Sequence, residues 1–431
     1  MNPLPRLAVA LTLASGSLST AGLCQVQSTW LRTHALPFAT TKPGSTLDDL
    51  RGLMTLVGDV PVIGLGEATH GTREFFQMKH RIIEQIASQT SFILVAIEAG
   101  MPEAARLNSF ILEGKGDPRE LLADMHWWCW NTQEVLDLVY WMRRLNQSGT
   151  RHLEFAGFDM QDPRLALLHL EHFVHTVDPE FVDSLSRLRS RLYLAVPRMR
   201  NRQSPDSGLA ALSDDWHALV AHLVSSRERY RRVASGDTVD WGIQNARVVS
   251  QAVDLAIKNR HPSGQVGLRF RDSCMAENAV WLIKRTPEQS RIILWAHNDH
   301  VSKRRGQMGA YLATRYASDY FAIAQTCGAG TYTAVHQKNG LGAYSIAVPA
   351  FGSLEANCAS IHIPQFVLDL RQASSTDPAS SWLTRPVLMR MIGPVAIDKQ
   401  QSVANLYEEF DALIYFQETE ASRCFGLTAS N

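Results

Sequence analysis

Four short apolar runs, rich in Val, Ile and Phe, each stop at ionisable or amide side chains. VPVIGL (60–65) leads into Glu67 and His70, FILVAI (92–97) into Glu98, LEFAGF (153–158) into Asp159 and Gln161, and RIILWA (291–296) into His297 and His300. Runs of this length and composition read as strands buried on both faces. Apolar residues repeating at three and four over Thr72–Ala87 and Thr132–Leu145 place helices between the first three. Strand and helix in alternation predict an α/β fold, a largely parallel central sheet flanked by helices. Further strands are expected at Tyr320–Ala324, Ser345–Val348 and Ala412–Phe416. In a parallel sheet all carboxyl ends lie on one edge, where ligands bind. One polar residue after one strand is most simply a loop group or a helix cap. Four strands ending this way predict a catalytic cleft supplied with two Glu, one Asp and three His.

Leucines at helical spacing between Asp162 and Gly264 predict a helical insertion over 162–264, acting as a cap over the cleft, within one domain covering 22–431. The loop NRQSPDSG (201–208) divides it. His169, His172 and His175 form a stripe with no evident carboxylate or Cys partner and read as a solvated helix face. Residues 1–21 carry Arg6, an apolar run from Leu7 to Ala14, and Ser19 and Ala21 at signal-peptidase spacing. This segment is expected to be a signal peptide, which would make the protein periplasmic or secreted; uncleaved, it would leave it cytoplasmic. The run falls short of the roughly 20 apolar residues that a membrane span needs, and no later stretch supplies them.

Charge then narrows the function. The 42 Lys and Arg balance 42 Asp and Glu, leaving no cation surplus to neutralise phosphates, so a duplex nucleic acid is not the partner. Six scattered Cys without a CxxC pair give neither a zinc site nor a small disulfide scaffold. Within VIGLGEATHG, Gly66 and Gly71 are expected to let the backbone turn tightly, and Thr72 to cap the next helix. His70 in that turn suits proton transfer at neutral pH, with Glu67 or Glu98 fixing its tautomer. No G-x-S-x-G elbow is present, so water rather than a serine is the expected nucleophile. His297 and His300 supply one group to polarise a carbonyl and another to protonate a leaving alkoxide. Lys79 lies about two turns into the first helix and either reaches back to an oxyanion or a carboxylate or sits on a solvated helix face. Trp127 and Trp128, in HWWCW, line a pocket for an apolar ligand or pack in the core. Arg271 and Asp272 read either as a capping pair opening a helix or as an anchor behind the histidines. Glu67, Glu98 and Asp159 make the expected cleft locally acidic, which would suit an amine-bearing substrate. Two other readings stay open: a metal-dependent hydrolase using the same Glu and His as ligands, and a non-catalytic protein that binds a ligand such as haem.

In order along the chain, GEATHGTREFF with KHRIIE, AIEAG, GFDMQ, RDSCMAENAVWL, ILWAHNDHV and FDALIYF resemble the erythromycin esterase family. The resemblance spans roughly residues 50–420 and implies an α/β core with a helical insertion. It also implies hydrolysis of the ester in a macrocyclic lactone, with resistance to macrolide antibiotics as the corresponding role. His70 matches the general base of the family; Glu67, Glu98, His297 and His300 match its other site residues. Lys79 stands at a basic position where some members carry Arg. No metal and no cofactor is implied, and the partner is a small-molecule ester or lactone.

Overall fold

The computed structural model describes residues 20–200 and 208–426. Residues 1–19 of the expected signal segment, and 201–207 of the expected loop, lie outside the described residues. The strands, in chain order, are β1 (Leu36–Pro37), β2 (Val62–Leu65), β3 (Phe92–Gly100), β4 (His152–Asp159), β5 (Arg291–Trp295), β6 (Tyr320–His336), β7 (Gly340–Ser345), β8 (Gln365–Asp369), β9 (Val387–Arg390), β10 (Gln401–Ala404) and β11 (Ala412–Thr419). Nine of them form one sheet in the order β1-β8-β11-β6-β2-β5-β3-β4, with β7 folded back antiparallel on the outer half of β6. Every pairing from β11 across to β4 is parallel; β8 and β1 close the other edge antiparallel.

Alternate residues of the central strands enter different cores. Leu94, Ala96, Ile292 and Leu294 face one hydrophobic cluster, while Ile93, Val95, Ile97, Ile293 and Trp295 face the other. Both faces are therefore dry, which is why these strands read as unbroken apolar runs. Of the strand expected at Ser345–Val348 only Ser345 is in a strand, as the last residue of β7, and residues 346–348 continue outside any strand. β8, β9 and β10 were not anticipated.

Between β4 and β5 the chain forms helices at Arg164–Val177, Val182–Arg200, Leu209–Ser225, Arg227–Tyr230 and Gly236–Lys258. They bury Leu167, Leu170, Phe173, Trp216, Ile243 and Val249 in the first of the two clusters. Leu168 is 58% exposed, because the apolar face of its helix runs through Leu167, Leu170 and Val174. The next helix spans Gln265–Ile283, so Arg271 and Asp272 lie within its body rather than at its start. All six cysteines are free. Among the described residues no helix is long and apolar enough to cross a membrane.

Candidate active site

The turn after β2 uses its glycines for space rather than for backbone angle. A Cβ on Gly66 would lie 2.2 Å from Asn298 Oδ1, and one on Gly71 would lie 2.0 Å from the carbonyl oxygen of Thr333. Neither glycine has a positive φ, which corrects the expected reason for their presence. Thr72 does precede the Arg73–Gln89 helix, but its hydroxyl bonds Thr69 Oγ1 at 2.6 Å and caps no backbone N–H.

Within this turn Glu67 is wholly buried. Its Oε1 accepts from His70 Nδ1 at 2.8 Å, and its Oε2 from Lys79 Nζ at 2.6 Å and Trp295 Nε1 at 2.8 Å. Burial pushes the Glu67 carboxyl up, but the charge of Lys79 and the bond from His70 outweigh it and hold the group below the usual carboxylate range. Burial pulls the Lys79 ammonium down to about 8, against the pull of Glu67. That ammonium also sits 4.6 Å from the centroid of the Trp295 ring. An ionised carboxylate only accepts, so the His70 proton is on Nδ1. Nε2 of His70 has no hydrogen-bond partner among the described residues, and the ring lines the cleft.

Glu98 near the end of β3 and Asp159 at the end of β4 converge on one guanidinium. Arg271 Nε donates to Asp159 Oδ1 at 3.2 Å, and Nη2 donates to Asp159 Oδ2 and to Glu98 Oε1, each at 2.7 Å. His300 has a carboxylate at each ring nitrogen: Nδ1 lies 2.8 Å from Asp272 Oδ1, and Nε2 lies 3.2 Å from Glu98 Oε1. Burial works against the imidazolium, yet Glu98 and Asp272 overcome it and hold His300 up to about 10. It is a cation at neutral pH. Its Nε2 is also 3.1 Å from Arg271 Nη1; between two protonated groups that is a contact, not a bond. Burial likewise opposes the Glu98 carboxylate, but His300 and Arg271 keep it well below the usual range.

His297 differs. Its Nδ1 accepts the Asp299 N–H at 3.2 Å, capping the short Asn298–Val301 helix, and its Nε2 donates to the Ala68 carbonyl at 3.3 Å. Burial pushes its pKa down to about 4, with Asp299 only partly opposing. Its backbone N–H donates to Glu98 Oε2 at 3.0 Å. Asn298 clamps the backbone of Gln325 from both sides, at 2.9 and 3.1 Å.

These groups surround a cleft of about 760 Å³. His70, Glu98, Asp159, Arg271, His297, His300 and Trp127 line it; Glu67 and Lys79 stand behind His70. Trp128 packs against the core instead, and Trp130 joins Trp127 on the wall, donating from Nε1 to the Glu98 carbonyl at 3.2 Å. None of the described residues of the insertion lines the cleft, whereas its flanks, Gln161 and Gln265, do. Sequence reasoning missed Trp295 behind Glu67, the segment Met391–Pro394, and three arginines at 269, 304 and 305. The run KRRG (303–306), just after HNDH, was a signal for two of these arginines. Met391–Pro394 offered none; it arrives because the Ile392 N–H donates to the Ala68 carbonyl at 2.8 Å. Among the described residues no group of three or more His, Cys, Asp or Glu side chains is placed to hold a metal ion. The Arg271 guanidinium sits where a cation between Glu98 and Asp159 would go.

The model of the erythromycin esterase family matches residues 87–419. Erythromycin esterase type II of Escherichia coli is 22% identical over 342 residues, 72% of this chain and 79% of that protein. A crystal structure of a Bacillus cereus protein superposes with a TM-score of 0.81 at 25% identity, covering 93% of this chain and 99% of that one. An erythromycin esterase mutant in its open conformation superposes at 0.70 and 19% identity, covering 90% and 98% of the two chains. With the match running through most of the sequence, this protein belongs to the erythromycin esterase family, and that membership supports a hydrolase.

Proposed function

We propose that the protein hydrolyses a carboxylic ester or lactone by direct attack of water. His70 Nε2 takes a proton from the water as its oxygen adds to the carbonyl carbon. Glu67, braced by Lys79 and Trp295, fixes the tautomer and stabilises the imidazolium that forms. The tetrahedral oxyanion faces the cationic side of the cleft, Arg271 and His300. When the C–O bond breaks, His300 gives its proton to the departing alkoxide; solvent then restores both histidines.

One observation carries this reading: a single cleft holds one imidazole with a free nitrogen and another with a carboxylate at each ring nitrogen. A ring with an unbonded nitrogen can take a proton, and a ring flanked by two carboxylates can hold one to give. Support also comes from what lines the cleft. Among the described residues no Ser, Thr or Tyr does so, and the Cys129 thiol there is pushed well above its ordinary pKa by burial. Direct water attack needs no side-chain nucleophile.

Because relatives carry the name erythromycin esterase, a macrolide lactone is the reference substrate to try, and turnover of it would support a role in macrolide resistance. Purified protein incubated with erythromycin and with a panel of aryl esters, followed by mass spectrometry, should add one water to at least one of them. On that substrate His70→Ala is expected to lower kcat/KM by about 10²–10⁴-fold. Activity unchanged in the variant would reject the mechanism. Activity lost in EDTA and restored by a divalent metal would favour the metal-dependent reading instead.

A further inference from the structure

Each carboxylate lining the cleft lies against a cation. Glu98 and Asp159 share Arg271, Asp272 holds His300, and Asp299 holds Arg304. Four carboxylates thus line the cleft beside four guanidiniums, at positions 269, 271, 304 and 305, and the imidazolium of His300. The lining is net cationic, and the case for an amine-bearing substrate, which rested on an acidic cleft, falls away.

The unmatched charge is localised. Arg269 and Arg305 both line the cleft and are exposed, and neither has a carboxylate partner among the described residues. Gly306, which follows Arg305 in the chain, packs its backbone against the Arg269 stem. A Cβ there would lie 3.1 Å from both Cγ and Cδ of Arg269, and Gly306 has φ +91°, a conformation that residues with side chains avoid. Exposed arginines are ordinarily just solvated. Two of them lining one cleft with no carboxylate partner, in a chain of zero net charge, add positive potential where a ligand would bind. The guanidinium fork matches carboxylate and phosphate oxygens alike. Next to it, Leu268 is 50% exposed and Trp127 39%, an apolar wall along the same cleft.

We propose that the substrate carries an anionic group, a carboxylate or a phosphate-like oxyanion, on an apolar stem, and that Arg269 and Arg305 bind this group in the cleft while the ester lies at His70. This rests on the hydrolytic reading of the same cleft, so its test separates binding from turnover. Binding to the full chain is measured by calorimetry with amides that the enzyme need not cleave: N-(4-nitrophenyl)glutaramate, its phosphonate counterpart, the neutral N-(4-nitrophenyl)pentanamide and a trimethylammonium analogue. The matching 4-nitrophenyl esters report kcat/KM. At least one anionic amide should bind about tenfold more tightly than the neutral one, and the cationic one more weakly. That preference should fall to near one in Arg269→Gln/Arg305→Gln, and should shrink with added salt in the wild type. Arg269→Lys/Arg305→Lys, which keeps the charge and loses the forks, should retain part of it. The two anionic amides tell which oxyanion is preferred. Anion-selective binding without ester turnover would sink the hydrolytic reading and leave the anion site standing. Equal binding of all four, or a preference that survives the double Gln variant, overturns the anion site, whatever the esters do.

Discussion

His297 and His300 stand three residues apart and line one cleft, yet they are held in opposite protonation states. The cause is what faces the ring nitrogens. Those of His297 meet only backbone, an amide that donates to Nδ1 and a carbonyl that accepts from Nε2. Asp299 Oδ2 is 3.7 Å from that Nδ1, beyond bonding reach, and the other oxygen of Asp299 is taken by Arg304. Those of His300 meet a carboxylate each. Burial penalises an imidazolium in both places; only at His300 is it repaid. The HNDH segment therefore holds two histidines with different work, one securing a helix start and one storing a proton.

The largest expected effect follows from that division. His300→Gln, which keeps hydrogen-bonding capacity and removes the proton, is expected to lower kcat/KM by about 10²–10⁴-fold on an ester whose alkoxide needs protonation. On a 4-nitrophenyl ester, whose leaving group departs without help, the loss should be smaller, confined to the share of His300 in stabilising the oxyanion. His297→Gln should cost both substrates alike and less than about tenfold. Equal, substrate-dependent losses in the two variants would mean that both histidines act on the leaving group.

A smaller effect is expected one contact away. Asp272→Asn removes one of the two carboxylates that hold His300 up, so the alkaline limb of kcat, which falls as His300 loses its proton near pH 10, should move to lower pH. The same linkage reaches stability. His300 titrates higher in the folded chain than the roughly 6.5 of an unfolded histidine. Its contribution is complete below that pH and is lost as pH rises through about 10. Wild type should thus lose thermal stability between pH 7 and 10 more steeply than Asp272→Asn. Each unit by which the variant lowers this pKa removes about 1.4 kcal/mol at neutral pH. Parallel melting curves across that range would show that Asp272 does not set the charge.

The parts of this arrangement that the sequence announced are those with a local signature. Unbroken apolar runs reported strands dry on both sides, and the polar residues after them reported a shared edge, because both depend on neighbours in the chain. Glu67, His70, Glu98, Asp159 and His297 could be gathered that way. What stayed hidden depends on partners far along the chain. Arg271 lies 112 residues beyond Asp159 and 173 beyond Glu98, and no spacing rule tells a carboxylate that it will be neutralised. For the same reason the cleft is expected to be acidic from the sequence, when its four carboxylates lie against cations and its lining is net cationic. The two glycines of GEATHG were legible as needed but not as to why, since the atoms that exclude a Cβ belong to Asn298 and Thr333. HWWCW named the right aromatic wall and, in Trp128, one residue that faces the core.

The smallest effect concerns His297 as a cap. Asn can accept the Asp299 N–H as the imidazole does, whereas Ala cannot, so His297→Ala should be less stable than His297→Asn by about 1 kcal/mol at neutral pH. Loss of the Nε2 donor leaves no orphan, because the Ala68 carbonyl also accepts the N–H groups of Ile392 and Gly393. A second consequence runs opposite to that at His300. The folded pKa of His297 is pushed down to about 4, so its contribution is complete above the roughly 6.5 of the unfolded chain and is lost as pH falls through about 4. Both variants lack the titrating ring and should therefore lose less stability than wild type between pH 6.5 and 4. Urea unfolding at several pH values separates the two terms: a constant offset between Ala and Asn measures the cap, and the shallower acid slope of both measures the buried neutral imidazole. If Ala and Asn coincide while the acid slope changes, His297 is retained for its burial alone and the helix start is held by other means.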